Sequence, residues 1–154
     1  MGGEMLMAER AHPVNMRADG EGPGDRRDPR RRQRSDRRIP LLLALVAATL
    51  AVMASVHLAG LLQGSNPFRP DDAGIAEAVI GAALLVGAAA LWRQTAHRWG
   101  LAVAATGFAI VGFVVGLSFT LRGGDAIDVA YHATMLPVLL LALAALVRKK
   151  EHTS

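Results

Sequence analysis

The sequence predicts an all-α fold, an antiparallel bundle of four transmembrane helices behind a disordered, basic N-terminal tail. Three observations predict it. Hydrophobic residues make up 52% of the 154 residues and charged residues only 19%. The charge is segregated: residues 1–38 carry ten Arg and seven acids, whereas residues 39–147 carry four Arg and five acids. Finally, four segments contain no Lys or Arg and are long enough to cross a bilayer. A soluble helix needs charge along the face it shows to water, and these segments have none to spare. The class is therefore an integral membrane protein.

The tail, residues 1–38, is rich in Gly, Pro, Arg and Asp and has almost no apolar periodicity. It buries too little to offset the entropy of ordering, which predicts disorder. Its run Arg30-Arg31-Arg32-Gln33-Arg34 lies beside the first span. There it sets topology and meets anionic lipid headgroups, so membrane lipid is the expected partner and nucleic acid is not. Arg37-Arg38 before an apolar run has the look of a twin-arginine export signal. Pro40 replaces the large apolar residue such signals carry, and three more spans follow, so the segment is expected to stay as an uncleaved first span.

The spans fall at about residues 39–62, 75–92, 99–121 and 126–147, forming one domain over 39–147. At about 1.5 Å per residue they run from roughly 27 to 36 Å, against a hydrocarbon core of about 30 Å. The second is the shortest and contains Glu77; a re-entrant or tilted segment is its alternative. Between the first two, Gln63–Gly74 holds Gly64, Pro67, Pro70 and Gly74 and reads as a turn-forming outer connection. Gly123-Gly124 makes the second outer turn. Short links favour antiparallel neighbours and an up-down-up-down order. Residues 148–154 form a second short tail.

Orientation follows from the basic residues. With both termini cytoplasmic, the inner side receives 15 of the 17 Lys and Arg, and the outer side only Arg69 and Arg122. Positive residues are retained inside. The expected location is the plasma membrane, multi-pass, with N- and C-termini in the cytoplasm.

Helix packing in lipid depends on small residues. The third span aligns Ala105, Ala109, Gly112, Gly116 and Thr120 in one row. Its Gly112-xxx-Gly116 spacing serves contacts within one chain or a homo-oligomer, and a four-span chain favours the former. Pro137 in the fourth span predicts a kink.

The residues with chemistry are His57, Glu77, Asp128 and His132. Polar groups at membrane depth usually face the bundle interior or water. His57 lies six residues before Gln63 and His132 six after Ala126, so each is expected about 9 Å below the outer helix end. Glu77 and Asp128, two residues inside their spans, are expected about 3 Å deep. That gives a tier of acids above a tier of histidines. Asp128 and His132 share a face by their spacing of four, and Thr49, Met53, His57 and Gly60 share a stripe on the first span.

Two imidazoles and two carboxylates suit a divalent metal such as zinc or iron. The two imidazoles alone could instead ligate haem b, giving a membrane redox protein. The structural alternative is a hydrogen-bond network. In it Asp125 and Asp128 cap the fourth helix, Gly74 and Glu77 cap the second, and the histidines bond to the acids, Tyr131, Ser118 or Thr120. A small proton-coupled transporter is the remaining alternative. With no Cys, thiolate chemistry is excluded. No Gly-x-Ser-x-Gly elbow or phosphate loop occurs either, so no catalytic residue is expected. The leading expectation is a non-enzymatic membrane protein with an outward-facing His/carboxylate cluster and a structural or interaction role.

Gly74-Ile75-Ala76-Glu77-Ala78, Gly112-Phe113-Val114-Val115-Gly116-Leu117 and Asp128-Val129-Ala130-Tyr131-His132 resemble segments of small four-span bacterial integral membrane proteins. The resemblance covers the membrane part and implies the topology, with no activity attached. Small multidrug-resistance transporters also have four short helices and a membrane carboxylate. Theirs lies mid-membrane in the first span, unlike Glu77.

Overall fold

The computed structural model describes residues 29–62 and 70–151, with side chains from Arg37 in the first stretch and from Asp72 in the second. Four helices account for nearly all of it: α1 (Pro29–Leu58), α2 (Pro70–Trp92), α3 (Arg98–Thr120) and α4 (Ala126–Glu151). No strand occurs among the described residues. Each helix contains a segment long and apolar enough to cross a membrane, of 22, 21, 23 and 26 residues in chain order.

The helix ends depart from the apolar boundaries, each for a local reason. α1 starts at Pro29, so residues 29–38 of the expected tail continue the first helix. Proline at a first helical position loses no hydrogen bond, and arginine is a good helix former. The expectation of disorder for residues 1–28 lies outside the described residues. At its other end α1 stops at Leu58 although Leu61 and Leu62 are apolar. Gly60 takes a left-handed φ of 66°. Its N–H bonds to the His57 carbonyl at 2.9 Å, and the Leu61 N–H bonds to the Val56 carbonyl at 3.1 Å. This paired closure is the glycine-terminated Schellman motif.

α2 begins at Pro70, again at a first helical position, and runs unbroken for 23 residues. The segment 70–74 is therefore helix and not connection, and the short second span becomes a full-length one. Residues 63–69 lie outside the described residues. α4 runs past Val147 and places Arg148, Lys149 and Lys150 in its last turn, where the helix dipole favours cations.

Every helix buries one row at three- and four-residue spacing. The rows are Leu43, Val46, Ala47, Leu50 and Ala54 on α1; Ile80, Leu84, Ala88 and Leu91 on α2, with Ala90 buried beside them; Ala102, Ala105, Ala109 and Phe113 on α3; Leu139, Ala142 and Leu146 on α4. That spacing is the stripe one helix presents to its neighbours. The opposite faces are apolar too: Leu45, Val52, Val86, Val111 and Leu141 are all more than half exposed. Apolar inside and outside is what a lipid-facing bundle requires.

Each helix packs on the next in sequence, and α1 meets α4 more sparingly. Gly81 lies against Ala47 and Leu50, and Gly87 against Ala102 and Ala105. In the α3 row, a Cβ on Gly112 would meet Ile80 of α2, and one on Gly116 would meet His132 of α4. The small-residue spacing thus serves contacts within the chain. Thr49 and Tyr131 join α1 to α4 by a 3.1 Å hydrogen bond between their hydroxyls.

Candidate functional site

The buried rows turn polar at one end of the bundle. His57, Glu77, Asp128 and His132 continue the core rows of α1, α2 and α4 and are only 4, 5, 7 and 7% exposed. Their positions follow from the helix ends just described. His57 stands in the last turn of α1, one residue before its end. Glu77 stands in the third turn of α2, because that helix begins at Pro70. Asp128 lies in the first turn of α4 and His132 one turn deeper.

Three of the four meet directly around His57. Its Nδ1 is 2.8 Å from Glu77 Oε2, and its Nε2 is 3.7 Å from Asp128 Oδ2. A carboxylate on each side thus faces the two nitrogens of one imidazole. His132 joins through Asp128 alone. Its Nδ1 bonds to the Asp128 backbone carbonyl at 2.9 Å and stands 3.1 Å from Asp128 Oδ1. The ring N–H is directed at the carbonyl, so Oδ1 is close without being hydrogen-bonded. One ligand atom from each of His57, Glu77 and Asp128 can be chosen so that all three lie within 4.8 Å of one another; His132 falls outside that set.

The expected tier of acids over histidines forms on α4, where Asp128 lies one turn above His132, but not between α1 and α2. Glu77 and His57 share a level, since five extra residues at the start of α2 lower Glu77 while Gly60 shortens α1. The expected capping roles divide likewise. Asp125 does cap α4, its Oδ1 accepting the Ile127 N–H at 2.8 Å. Gly74 and Glu77 cap nothing, being inside α2. Nor do the histidines bond to the hydroxyls. Ser118 and Thr120 donate to carbonyls of their own helix, Val115 and Leu117, and Tyr131 takes Thr49. Tyr131 meets His132 edge to face, ring centroids 5.8 Å apart.

The cluster leaves acceptors over. Glu77 Oε1 and Asp128 Oδ1 are buried and have no hydrogen-bond partner. Burying a carboxylate oxygen without a partner costs free energy, and folded proteins rarely do it without a reason.

These four residues line a cavity of about 480 Å³. Its mouth is marked by Gly60, Leu62, Ala73, Gly124 and Asp125 at the helix ends, and its apolar wall by Ala76, Ile80, Val115 and Phe119. Gly112 and Gly116 also line it. The sequence reading missed Ala73, Ile80 and Phe119. The signal was available: the first two lie four residues before and three after Glu77, and Phe119 lies three after Gly116, the spacings that share a helix face.

No protein-family model, curated protein or solved structure matches the chain. What the site does rests on its own chemistry. Imidazole with carboxylates is a donor set for a borderline divalent cation. Below it Leu50, Leu84, Ala109, Phe113 and Leu139 fill the bundle interior, and the buried Thr106 hydroxyl is turned onto the Ala102 carbonyl of its own helix. A cavity with a polar floor and an apolar seal beneath it can bind from one side.

Proposed function

We propose that the protein is a multi-pass plasma-membrane protein that binds a divalent metal cation in a cavity open to the outer side of the membrane. Its four helices form an antiparallel bundle with both termini in the cytoplasm. Support for the antiparallel order comes from the contacts, which run in opposite senses along neighbouring helices: Gly74 with His57 and Gly81 with Ala47, then Gly87 with Ala102 and Gly112 with Ile80. Support for the orientation comes from the 15 of 17 basic residues that it keeps inside. The site then lies at the outer end.

The observation that carries the metal reading is the gathering of His57, Glu77 and Asp128, whose ligand atoms can be chosen within 4.8 Å of one another, with two buried carboxylate oxygens, Glu77 Oε1 and Asp128 Oδ1, left without a hydrogen bond. A purely structural network would be expected to satisfy its own acceptors, whereas a cation among these donors offsets the charge buried with them. Haem held by His57 and His132 has less support. Both nitrogens of His57 face carboxylates, and the His132 ring is seated between its own helix and Gly116. A proton-coupled transporter has less support as well, because the hydroxyls away from the cluster are taken up locally, Thr106 by the Ala102 carbonyl and Tyr131 by Thr49. The bundle supplies a structural frame; the cavity supplies the function.

The test is thermal unfolding of the full chain in detergent micelles with and without zinc ion, together with metal analysis after chelation and dialysis. Binding to the folded state alone stabilises by about 2.7 kcal/mol at a hundredfold excess over Kd. The expected outcome is a zinc-dependent rise in Tm that His57→Ala and Asp128→Asn abolish. A wild-type Tm indifferent to zinc, cobalt and nickel ions overturns the reading.

A further inference from the structure

The structure points to a division of labour within the cluster: we infer that His57 Nε2 and the Asp128 carboxylate are the metal ligands, while Glu77 is a positioning residue acting through His57. This rests on the metal-binding reading above.

The two sides of the His57 ring differ. On the Nδ1 side, 2.8 Å to Glu77 Oε2 is a hydrogen bond with good geometry. Nδ1 is thus taken by Glu77, and Nε2 is the ring nitrogen left to bind elsewhere. On the Nε2 side, 3.7 Å to Asp128 Oδ2 is too long for a hydrogen bond. Nε2 and a carboxylate oxygen therefore face each other across a buried gap with no hydrogen bond between them. Ligand atoms held at about 2.0–2.2 Å by one tetrahedral ion stand roughly 3.3–3.6 Å apart. A cation in the gap draws the two atoms together only slightly.

The rest of the arrangement fits the same division. A metal-bound histidine usually gives its other N–H to a carboxylate, which fixes the tautomer and ring orientation and raises ligand basicity. Glu77 stands in that place, on a different helix from His57. Asp128 is held in turn by its own helix, with the His132 N–H on its backbone carbonyl and the ring beside Oδ1. The remaining coordination positions face the cavity and go to water, so the ion is exchangeable from outside. One imidazole nitrogen and one carboxylate, with no thiolate, suit zinc, cobalt or nickel ions more than a soft monovalent metal.

The experiment is a cobalt-ion titration of the full chain in detergent, read by visible absorption and by affinity. Wild type is expected to bind one ion with a spectrum of nitrogen and oxygen ligands. Glu77→Gln keeps an oxygen to accept the Nδ1 proton but loses the charge. It is expected to weaken binding by roughly 10-fold and Glu77→Ala by up to about 100-fold, with the spectrum unchanged in both. Asp128→Asn is expected to change the spectrum or remove it. A changed spectrum in Glu77→Gln makes Glu77 a ligand and overturns the division, with the metal site intact. Unchanged affinity in both Glu77 variants overturns it too. Absence of cobalt binding by wild type is a different failure, that of the metal reading itself. Should Glu77→Gln not fold, Glu77→Asp retracts the carboxylate by one methylene and is judged on the same spectrum.

Discussion

His132 lies against Gly116 so closely that a Cβ on Gly116 would run into its Nε2. The glycine of α3 is the seat of an imidazole on α4, and that contact helps to hold the ring beside Asp128. Packing and site chemistry therefore meet at one residue that has no side chain.

Gly116→Ala is expected to destabilise the protein by about 1–3 kcal/mol, the usual cost of forcing a methyl group into filled space. Gly107 is the control, since a Cβ there meets nothing within 4 Å. Replacing it by Ala should be neutral or stabilising by about 0.5–1 kcal/mol, the helix-interior cost of glycine. Adding His132→Ala to Gly116→Ala should recover part of the loss. Thermal unfolding in detergent reads all three, and equal Tm values for the two glycine variants would remove His132 from that seat.

The hydroxyl pair across α1 and α4 makes a milder prediction. Thr49 Oγ1 donates to the Val46 carbonyl at 2.8 Å, so in its 3.1 Å bond with Tyr131 it accepts. Tyr131→Phe removes the donor without stranding a proton of Thr49. A double-mutant cycle of Tyr131→Phe with Thr49→Val should give a coupling of about 0.6 kcal/mol, typical of hydrogen bonds between membrane helices. Zero coupling would mean that α1 and α4 do not close through this pair.

Gln94 carries a strained backbone, with φ of 51°. It closes α2 as Gly60 closes α1: its N–H bonds to the Leu91 carbonyl at 3.3 Å, and the Thr95 N–H bonds to the Ala90 carbonyl at 3.3 Å. Glycine belongs in that position because a Cβ disfavours the left-handed region by about 1–2 kcal/mol. Gln94→Gly is expected to raise stability by about 1 kcal/mol. A lower Tm for this variant would place the strain elsewhere.

Topology is checked separately. Reporter fusions at residues 35 and 150 should both report cytoplasm, and fusions near Pro67 and Gly123 the outer side. Deleting residues 1–24 should leave this pattern unchanged, because the arginines beside the first span remain. An outer signal from the C-terminus would break the four-span order.

By itself the sequence determined four long apolar helices, because hydropathy is a local sum and none of these segments has the charge a water-facing surface needs. It also singled out His57, Glu77, Asp128 and His132, since ionisable residues in such segments are few enough to notice. Only the tertiary structure decided where the helices end. A hydropathy window averages over Gly60 and Pro70, yet single backbone conformations at those residues stop α1 and start α2, and so bring Glu77 level with His57. The pairing itself lay further out of reach. His57 and Asp128 are 71 positions apart, and whether their atoms meet depends on how two helices are rotated about their axes. α1 is seated on α2 at Gly74, α2 on α3 by Ile80 at Gly112, and α4 on α3 by His132 at Gly116. This packing leaves Glu77 Oε1 and Asp128 Oδ1 buried without a hydrogen bond, a consequence of three dimensions that no spacing along the chain encodes.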